Sequence, residues 1–589
     1  MPRTARSTKP KKIKRTASAD GTMSQRQVLE ALSGLLLGMF VSILAGTVVA
    51  TSLPVIISDL GGDQSAYTWV VTSTLLATTV STPLWGKFAD LFDRKLLIQL
   101  ALGLFVVGSA AAGFSQDTNT LILFRIFQGL GGGGLAALSQ IIMADIISPR
   151  DRGKYAGLFG AVMALGTVGG PLLGGLVTDA FGWRWNFFIA LPIAIVAILL
   201  LQSTLHLPKH PKRTVRIDYL GAILITAGVS LLLIWVSMAG SQYDWASVQS
   251  LVMVLGSILL LAAAVLVELK SPEPIIPLGM FRNRTFTLSV IASISVGVSL
   301  FGTSVFLAQY MQLARGASPT ESGLLTIPMM AGLLISSTVF GGLISRRGKW
   351  KAIMVSGSAL TVLGSTLLGT LHYDTNLILV GVYMAVLGAG VGMLMQNLVL
   401  VVQNSIEVRN LGVATSAITF FRSLGGTIGV SVLGSILGTV VAQSIRDDVA
   451  ALKPADQALA GTYLGSGTIP KISELPDVLT TIVESAYGTG VGFVFLCAVP
   501  LTIVTLVAVA FLPNVPLGTL NAIQLKTQRA DRSASADKSR ERDDANDMLI
   551  DVSTASVALP AVGLAHPTES TTVGERENPT RIQPQRSDR

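Results

Sequence analysis

The sequence predicts an all-α polytopic membrane protein, and three observations carry that prediction. Half of the 589 residues are hydrophobic, only 13% are charged and mean hydropathy is +0.62. A soluble chain of this length needs far more charge to cover its surface. Apolar runs recur along the chain, each near the ~20 residues that cross a hydrocarbon core. The turns between them alternate in charge, basic on one side and acidic on the other.

The runs lie at about 31–57, 67–88, 96–114, 120–145, 155–179, 186–205, 217–238, 248–268, 286–312, 322–344, 352–371, 376–401, 411–441 and 487–512, about fourteen spans. Before them, residues 1–28 hold Arg3, Arg6, Lys9, Lys11, Lys12, Lys14 and Arg15 and read as a basic disordered tail, with Met1 and Met23 as alternative starts. The first run is span-length and lacks a small-residue cleavage site, so no cleavable signal is expected. Turns on the tail's side carry Lys87, Arg94 and Lys95, then Arg150, Arg152 and Lys154, then Lys209 to Arg216, Arg282 and Arg284, and Arg346 to Lys351. Opposite turns carry Asp59, Asp63, Asp117, Asp244 and Asp374, with Arg184 and Arg315 as their short-turn cations. An even span count puts both termini on one side, and the positive-inside rule makes that side cytoplasmic. The net charge of +9 is therefore a topology signal and implies no nucleic-acid partner.

One cysteine, Cys497, and four scattered histidines supply neither a disulfide nor a metal cluster. No nucleophile or metal constellation at membrane depth points to an enzyme. No cofactor is expected.

The fifth span and its exit read GLFGAVMALGTVGGPLLGGLVTDAFGWRWNFFIALP over 157–192. Gly166, Gly170 and Gly174 share one helix face, with Gly169, Pro171 and Gly175 beside them. Small residues four apart let a second helix approach to backbone contact, and an internal proline removes a hydrogen bond and bends the helix. The stretch reads as a bending seam between two helices of a transporter, although one small-xxx-small pattern also fits simple helix association.

Its neighbours make it specific. Gly166 to Gly175 resembles the GxxxGPxxGG signature of antiporters of the major facilitator superfamily. Trp183 to Pro192 is similar to the WRWxFxINxP signature of that superfamily's fourteen-span drug:proton antiporter branch. In the first span, Leu44 to Pro54 includes Thr47 and resembles LDxTIVNVALP, with Ala45 in place of the family's membrane-embedded aspartate.

After the second span, Gly86 to Lys95 resembles GxLaDrxGrR/K, with Asp93 in place of a glycine. A glycine there lets two helix ends meet, Asp90 can hold cations or helix-end amides, and Arg94 with Lys95 can lock the cytoplasmic side. Gly86, Asp90, Arg94 and Lys95 form the expected cytoplasmic gate. The pattern recurs about 255 residues later as Gly341 to Lys349, as two parallel halves would leave it. Ser345 stands in for Asp90 there, so this copy is expected to lack an ionic latch.

The fourth span's LILFRIFQGLGGGG resembles RxxQGxG through Arg125 and Gln128. An arginine in hydrocarbon is costly unless it faces a wet cavity or a partner. Asp145, at the end of that span, reads as a helix terminator. Asp218 to Gly221 and Glu273 to Phe286 resemble the DxxG and EPllpLxLFRnrtF elements that flank two inserted helices, expected as packing elements. In the second half Gln309, Gln312, Gln396, Asn397 and Arg422 put polar groups into apolar spans, where they need helix or lumen partners. With Thr47, Arg125 and Gln128 they form the expected substrate and proton pathway.

The resemblance implies two six-helix bundles plus two inserted helices. The expected divisions are 29–206 for the first bundle, 207–285 for the insertion, 286–512 for the second bundle with an outer loop at 442–486, and 513–589 as a disordered cytoplasmic tail. It also implies a monomer in the cell membrane that exports amphipathic drugs by alternating access, driven by the proton gradient. No Asp or Glu lies in the middle of a span, so coupling is expected to use an edge carboxylate (Asp59, Asp145, Asp179, Glu321 or Glu484) with Arg125 or Arg422. Few acids also suit an apolar or anionic cargo, which leaves an exporter of lipid or cell-envelope precursors as the alternative.

Overall fold

A computed structural model describes residues 25–61, 64–205, 207, 218–240, 242–464, 475–520, 524 and 528. Residues 1–24 of the basic tail expected over 1–28, the 208–216 loop and the tail beyond 528 lie outside the described residues, as does the side chain of Asp179, while 25–28 already belong to the first helix.

Among the described residues fourteen long helices follow one another: α1 (Gln25–Asp59), α2 (Gln64–Leu91), α3 (Arg94–Gly113), α4 (Thr118–Ile146), α5 (Ala156–Phe181), α6 (Ala190–Thr204), α7 (Tyr219–Met238), α8 (Val248–Lys270), α9 (Arg284–Gln309), α10 (Ile327–Arg347), α11 (Lys351–Leu368), α12 (Leu377–Ser405), α13 (Leu411–Ala450) and α14 (Asp477–Ala510). Thirteen segments among the described residues are long and apolar enough to span a membrane. The helix left out is α2, whose Thr72-Ser73-Thr74 and Thr78 to Thr82 lower its hydropathy. Its 28 residues still reach across a bilayer at ~1.5 Å each. The hydroxyls bond backbone carbonyls, Thr78 to Gly129 at 3.1 Å and Thr82 to Thr78 at 2.7 Å, as polar groups in lipid require.

α1–α6 and α9–α14 are the two bundles. Leu35, Ala101, Leu138 and Ala197 meet in the core of the first, and Val296, Leu333, Leu387 and Val494 in that of the second. A glycine run threads α4 between its neighbours: a Cβ at Gly129 would stand 2.5 Å from the Thr74 carbonyl, and one at Gly131 2.6 Å from that of Ala101.

The inserted α7 lies against both α2 and α13, with Val80, Val229 and Phe420 in one apolar cluster. Asp218 caps it by accepting from Gly221 N at 2.7 Å. Lys87 pairs with Glu273 at 2.8 Å, and the Trp245 indole donates to Ser435 Oγ on α13 at 2.9 Å. The insertion is thus anchored to both bundles.

Two expectations change. The outer loop starts later than 442, because α13 runs 40 residues to Ala450, about 60 Å against a ~30 Å core. A further helix, Pro454–Leu464, follows it. The tail does not leave the protein at 513. Leu517 is buried, and 513–518 is held by hydrogen bonds described below.

Candidate functional site

The turns between α2 and α3, α4 and α5, and α10 and α11 lie on one face, here the basic face. There Gly86 is so close to α13 that a Cβ would stand 1.8 Å from Ser416 Oγ. One turn on, Asp90 accepts from the N–H groups of Gly412 at 2.8 Å and Val413 at 2.9 Å. These belong to the first turn of α13, whose amides have no intrahelical partner and carry the positive end of the helix dipole. Such a cap contributes about 0.5–2 kcal/mol. Arg94, 4% exposed, holds Asp90 at 3.2 Å and forms a second ion pair with Asp145. Removing one member of a buried charge cluster leaves an uncompensated charge, so the three stand or fall together.

Two readings are corrected here. Asp145 is more than a helix terminator: it is buried and completes this triad. Lys95 is not part of it, because its Nζ turns to the Gln202 carbonyl at 2.8 Å and ties α3 to α6.

At the second copy of the motif, Ser345 Oγ is buried without a hydrogen-bond partner among the described residues. The first half reaches across instead. Arg150 donates to the carbonyls of Ser345 at 3.3 Å and Arg346 at 3.4 Å. Arg152, 4% exposed, donates to Gln403 Oε1 on α12 and to the Ala144 carbonyl at 2.9 Å. Beside them Gly153 meets α10 so tightly that a Cβ would lie 2.0 Å from the Gly341 carbonyl. The chain after α14 crosses the same face. The Trp350 indole donates to the Val515 carbonyl at 2.8 Å, Asn404 Nδ2 to that of Pro516 at 3.0 Å, and Arg150 N to that of Gly518 at 3.2 Å. The two bundles are closed against each other here.

The small-residue seam joins α5 to α1. A Cβ at Gly170 would lie 1.9 Å from Thr47 Oγ1, and one at Gly174 2.7 Å from the Val48 carbonyl. Thr47 Oγ1 donates to the Gly166 carbonyl at 2.9 Å, so this residue belongs to the seam. Gly175 does not: its Cβ would meet nothing within 4 Å among the described residues. Helix α5 continues through Pro171.

At the opposite end of the seam, Asn186 is fully buried and donates to Ser52 Oγ at 2.6 Å and Thr178 Oγ1 at 2.7 Å. Trp183 Nε1 donates to Asp59 at 2.8 Å, and Arg184 pairs with Asp59 at 3.2 Å. This gives the Trp-Arg-Trp-Asn turn its physical meaning: it fastens the far ends of α1 and α5. Asp59 lies beyond the 26–50 apolar stretch. The Trp183 indole, then the Arg184 guanidinium, hold its carboxyl below the usual range. Thr120 does the same for Asp117.

The expected pathway residues do not gather into one pocket. Arg125, 5% exposed, donates to Gln128 Oε1 at 2.6 Å, and Gln128 donates to Ser109 at 3.3 Å. Arg422, 6% exposed, donates to the Met395 carbonyl at 3.4 Å. Neither guanidinium has a carboxylate partner among the described residues. Asn397 donates to Met393 on its own helix at 2.7 Å, and with Gln396 it lines a small cavity next to Arg152. Gln312 is half-buried, and the buried Gln309 Oε1 has no hydrogen-bond partner among the described residues.

The sequence profile of the Major Facilitator Superfamily matches residues 35–430. The chain is 36% identical to the multidrug transporter protein MdtP of Bacillus subtilis, over 71% of this chain and 77% of that one. It is 32% identical to multidrug resistance protein 3 of the same organism, over 83% and 96%. Among solved structures, a proton:xylose symporter of the superfamily, XylE, superposes with a TM-score of 0.55 at 14% identity, covering 85% of this chain and 99% of that one. A shared profile, moderately similar relatives and the two-bundle fold agree: the chain belongs to the Major Facilitator Superfamily and is a multi-pass membrane transporter rather than an enzyme.

Proposed function

We propose that the chain exports amphipathic small molecules, drugs among them, across the cell membrane by alternating access in exchange for protons. It works as a monomer with both termini in the cytoplasm, so the basic face is the cytoplasmic one. The observation that carries this reading is the closure of that face by Asp90 on the first turn of α13, beneath Arg94 and Asp145. A latch built from separable polar contacts between two bundles is what a two-state exporter needs, since each bundle keeps its own apolar core when the latch opens. The names of the Bacillus relatives support multidrug cargo. Gly86, Asp90 and Arg94 act as the gate, the glycines facing α1 as the bending seam, and Arg125 and Arg422 as polar groups of the path.

A second reading has two observations in its favour. Ala45 stands where the resembling family has a membrane-embedded acid, and two buried guanidiniums without carboxylate partners among the described residues suit an anionic lipid or cell-envelope precursor. Inverted vesicles with an imposed pH gradient separate the two. A lipophilic cation that accumulates only with the gradient supports drug export; accumulation of the lipid alone, or transport indifferent to the gradient, overturns it.

A further inference from the structure

On the face opposite the basic turns, the second bundle opens a cleft of about 580 Å³. Its walls come from the connection between α9 and α10 with its short helix Pro319–Leu325, from the turn before α12 and that helix's first residue, and from the second turn of α14, all in the second bundle, so it is not the path between the bundles. Leu324, Leu325 and Leu377 make it apolar, and Tyr373 adds an aromatic wall.

Three charged side chains line the cleft, and two are already engaged. Glu321 closes a capping box, accepting from Ser318 N at 2.8 Å. Arg315 donates to the Tyr373 carbonyl. The third, Glu484 on α14, is half-buried and has neither hydrogen bond nor ion pair among the described residues. Its Oε1 stands over Gly316, 3.9 Å from where a Cβ would be. Gly316 has φ of +65°, which lets the chain turn back and leave the space above it open.

A half-buried carboxylate with no protein partner among the described residues, set beside leucines, is left open to a cation that brings its own apolar surface. A compact, strongly hydrated ion would lose its shell among leucines. A cation whose charge is wrapped in apolar groups loses little water, fills the leucine walls and gains the face of Tyr373.

We propose that this cleft binds lipophilic organic cations, with Glu484 as the counter-charge and Leu324, Leu325, Leu377 and Tyr373 as the apolar wall. The site stands within one bundle, so it does not depend on the direction of transport or on proton coupling.

Equilibrium binding of tetraphenylphosphonium to the purified full chain in lipid nanodiscs tests it, with triphenylphosphine oxide as a neutral probe of similar shape. Glu484→Gln should weaken the cation at least about tenfold and leave the neutral probe within about twofold, a tenfold loss matching one partly screened charge contact. Arg315→Ala, which removes the cleft's one positive group, should tighten cation binding. Leu324→Trp should weaken both probes by filling the space. Near-native thermal stability of each variant keeps the comparison valid, and Glu484→Asp serves as a second test, with intermediate affinity expected. Cation affinity unchanged in both Glu484→Gln and Leu324→Trp overturns the proposal, as does an equal loss of both probes in Glu484→Gln.

Discussion

Replacing Gly153 with alanine should force the two bundles apart on the basic face. The added Cβ would stand 2.0 Å from the Gly341 carbonyl, against about 3.4 Å for ordinary contact, so the backbones must separate by about 1.4 Å. The obstacle is main chain, which no rotamer change can clear. Overfilling a well-fitted contact costs about 1–3 kcal/mol. Because that cost falls on the closed state alone, it shifts the population roughly 5- to 150-fold toward separation. Gly86→Ala makes a useful contrast, since its nearest obstacles, at 1.8 and 2.4 Å, are the Oγ and Cβ of Ser416. Ser416→Gly removes both and leaves the Gly412 carbonyl at 2.9 Å, so the double variant should recover most of the closed population. Spin labels at Lys154→Cys and Lys349→Cys, both exposed and on different bundles, read the separation in a Cys497→Ser background. The expected result is a longer-distance population in Gly153→Ala and Gly86→Ala that shrinks on adding Ser416→Gly. Distances and transport rates unchanged in Gly153→Ala would refute the reasoning, because the contact could not then be the interface that opens.

Three further outcomes follow from the same geometry. Asp90→Asn removes the charge that caps α13 and pairs with Arg94; hydrogen bonds to charged groups contribute about 1.5–3 kcal/mol, so the labelled closed population should fall at least about tenfold, and a normal population would remove the latch from the mechanism. Gly170→Val should slow turnover by at least about tenfold by driving into Thr47, while Gly175→Val, which meets nothing, should transport normally; equal effects in a flux assay would show that the seam is not what matters. Asp59 has a lowered carboxyl pKa, so its tie to Trp183 and Arg184 is fully present above the ordinary value of 3.8 and is lost only as pH falls through the lowered one. Any difference in melting temperature between the native chain and Asp59→Asn should therefore stay constant from pH 8 to pH 5, and a difference that shrinks toward pH 5 would contradict the assignment.

What could be read from the sequence divides along a physical line. The helices were legible because apolar length is a local property, and even α2, whose hydroxyls dilute its hydropathy, was marked by the alternation of charged turns around it. Asp90 and Arg94 were legible because they sit four residues apart in the one short motif that turns the chain from α2 into α3. Asp145 was not, because its partner lies 51 residues away and nothing near Asp145 announces it. The clue was two carboxylates ending separate spans with one arginine between them. Asn186 fell on an unspecified position of the WRWxFxINxP signature; its meaning, a bond to Ser52 across 134 residues, exists only once α1 and α5 meet.

The edge carboxylates show the same limit from another side. Sequence placed Asp59, Asp145, Glu321 and Glu484 alike at span ends and could not rank them. Their partners do: Asp59 is committed to Trp183 and Arg184, Asp145 to Arg94, and Glu321 to the cap at Ser318. A group held by donors that do not change between states cannot take up a proton as the protein cycles, because its proton affinity never moves. Asp59 and Glu321 are held by partners within their own bundle, so bundle separation leaves them as they are. Asp145 differs, since the Arg94 it pairs with also holds Asp90, which loses the Gly412 and Val413 amides when the bundles part. Under the proposed exchange for protons, the described carboxylates placed to respond to the cycle are therefore those of the Asp90, Arg94 and Asp145 cluster and the unpaired Glu484, rather than Asp59 and Glu321.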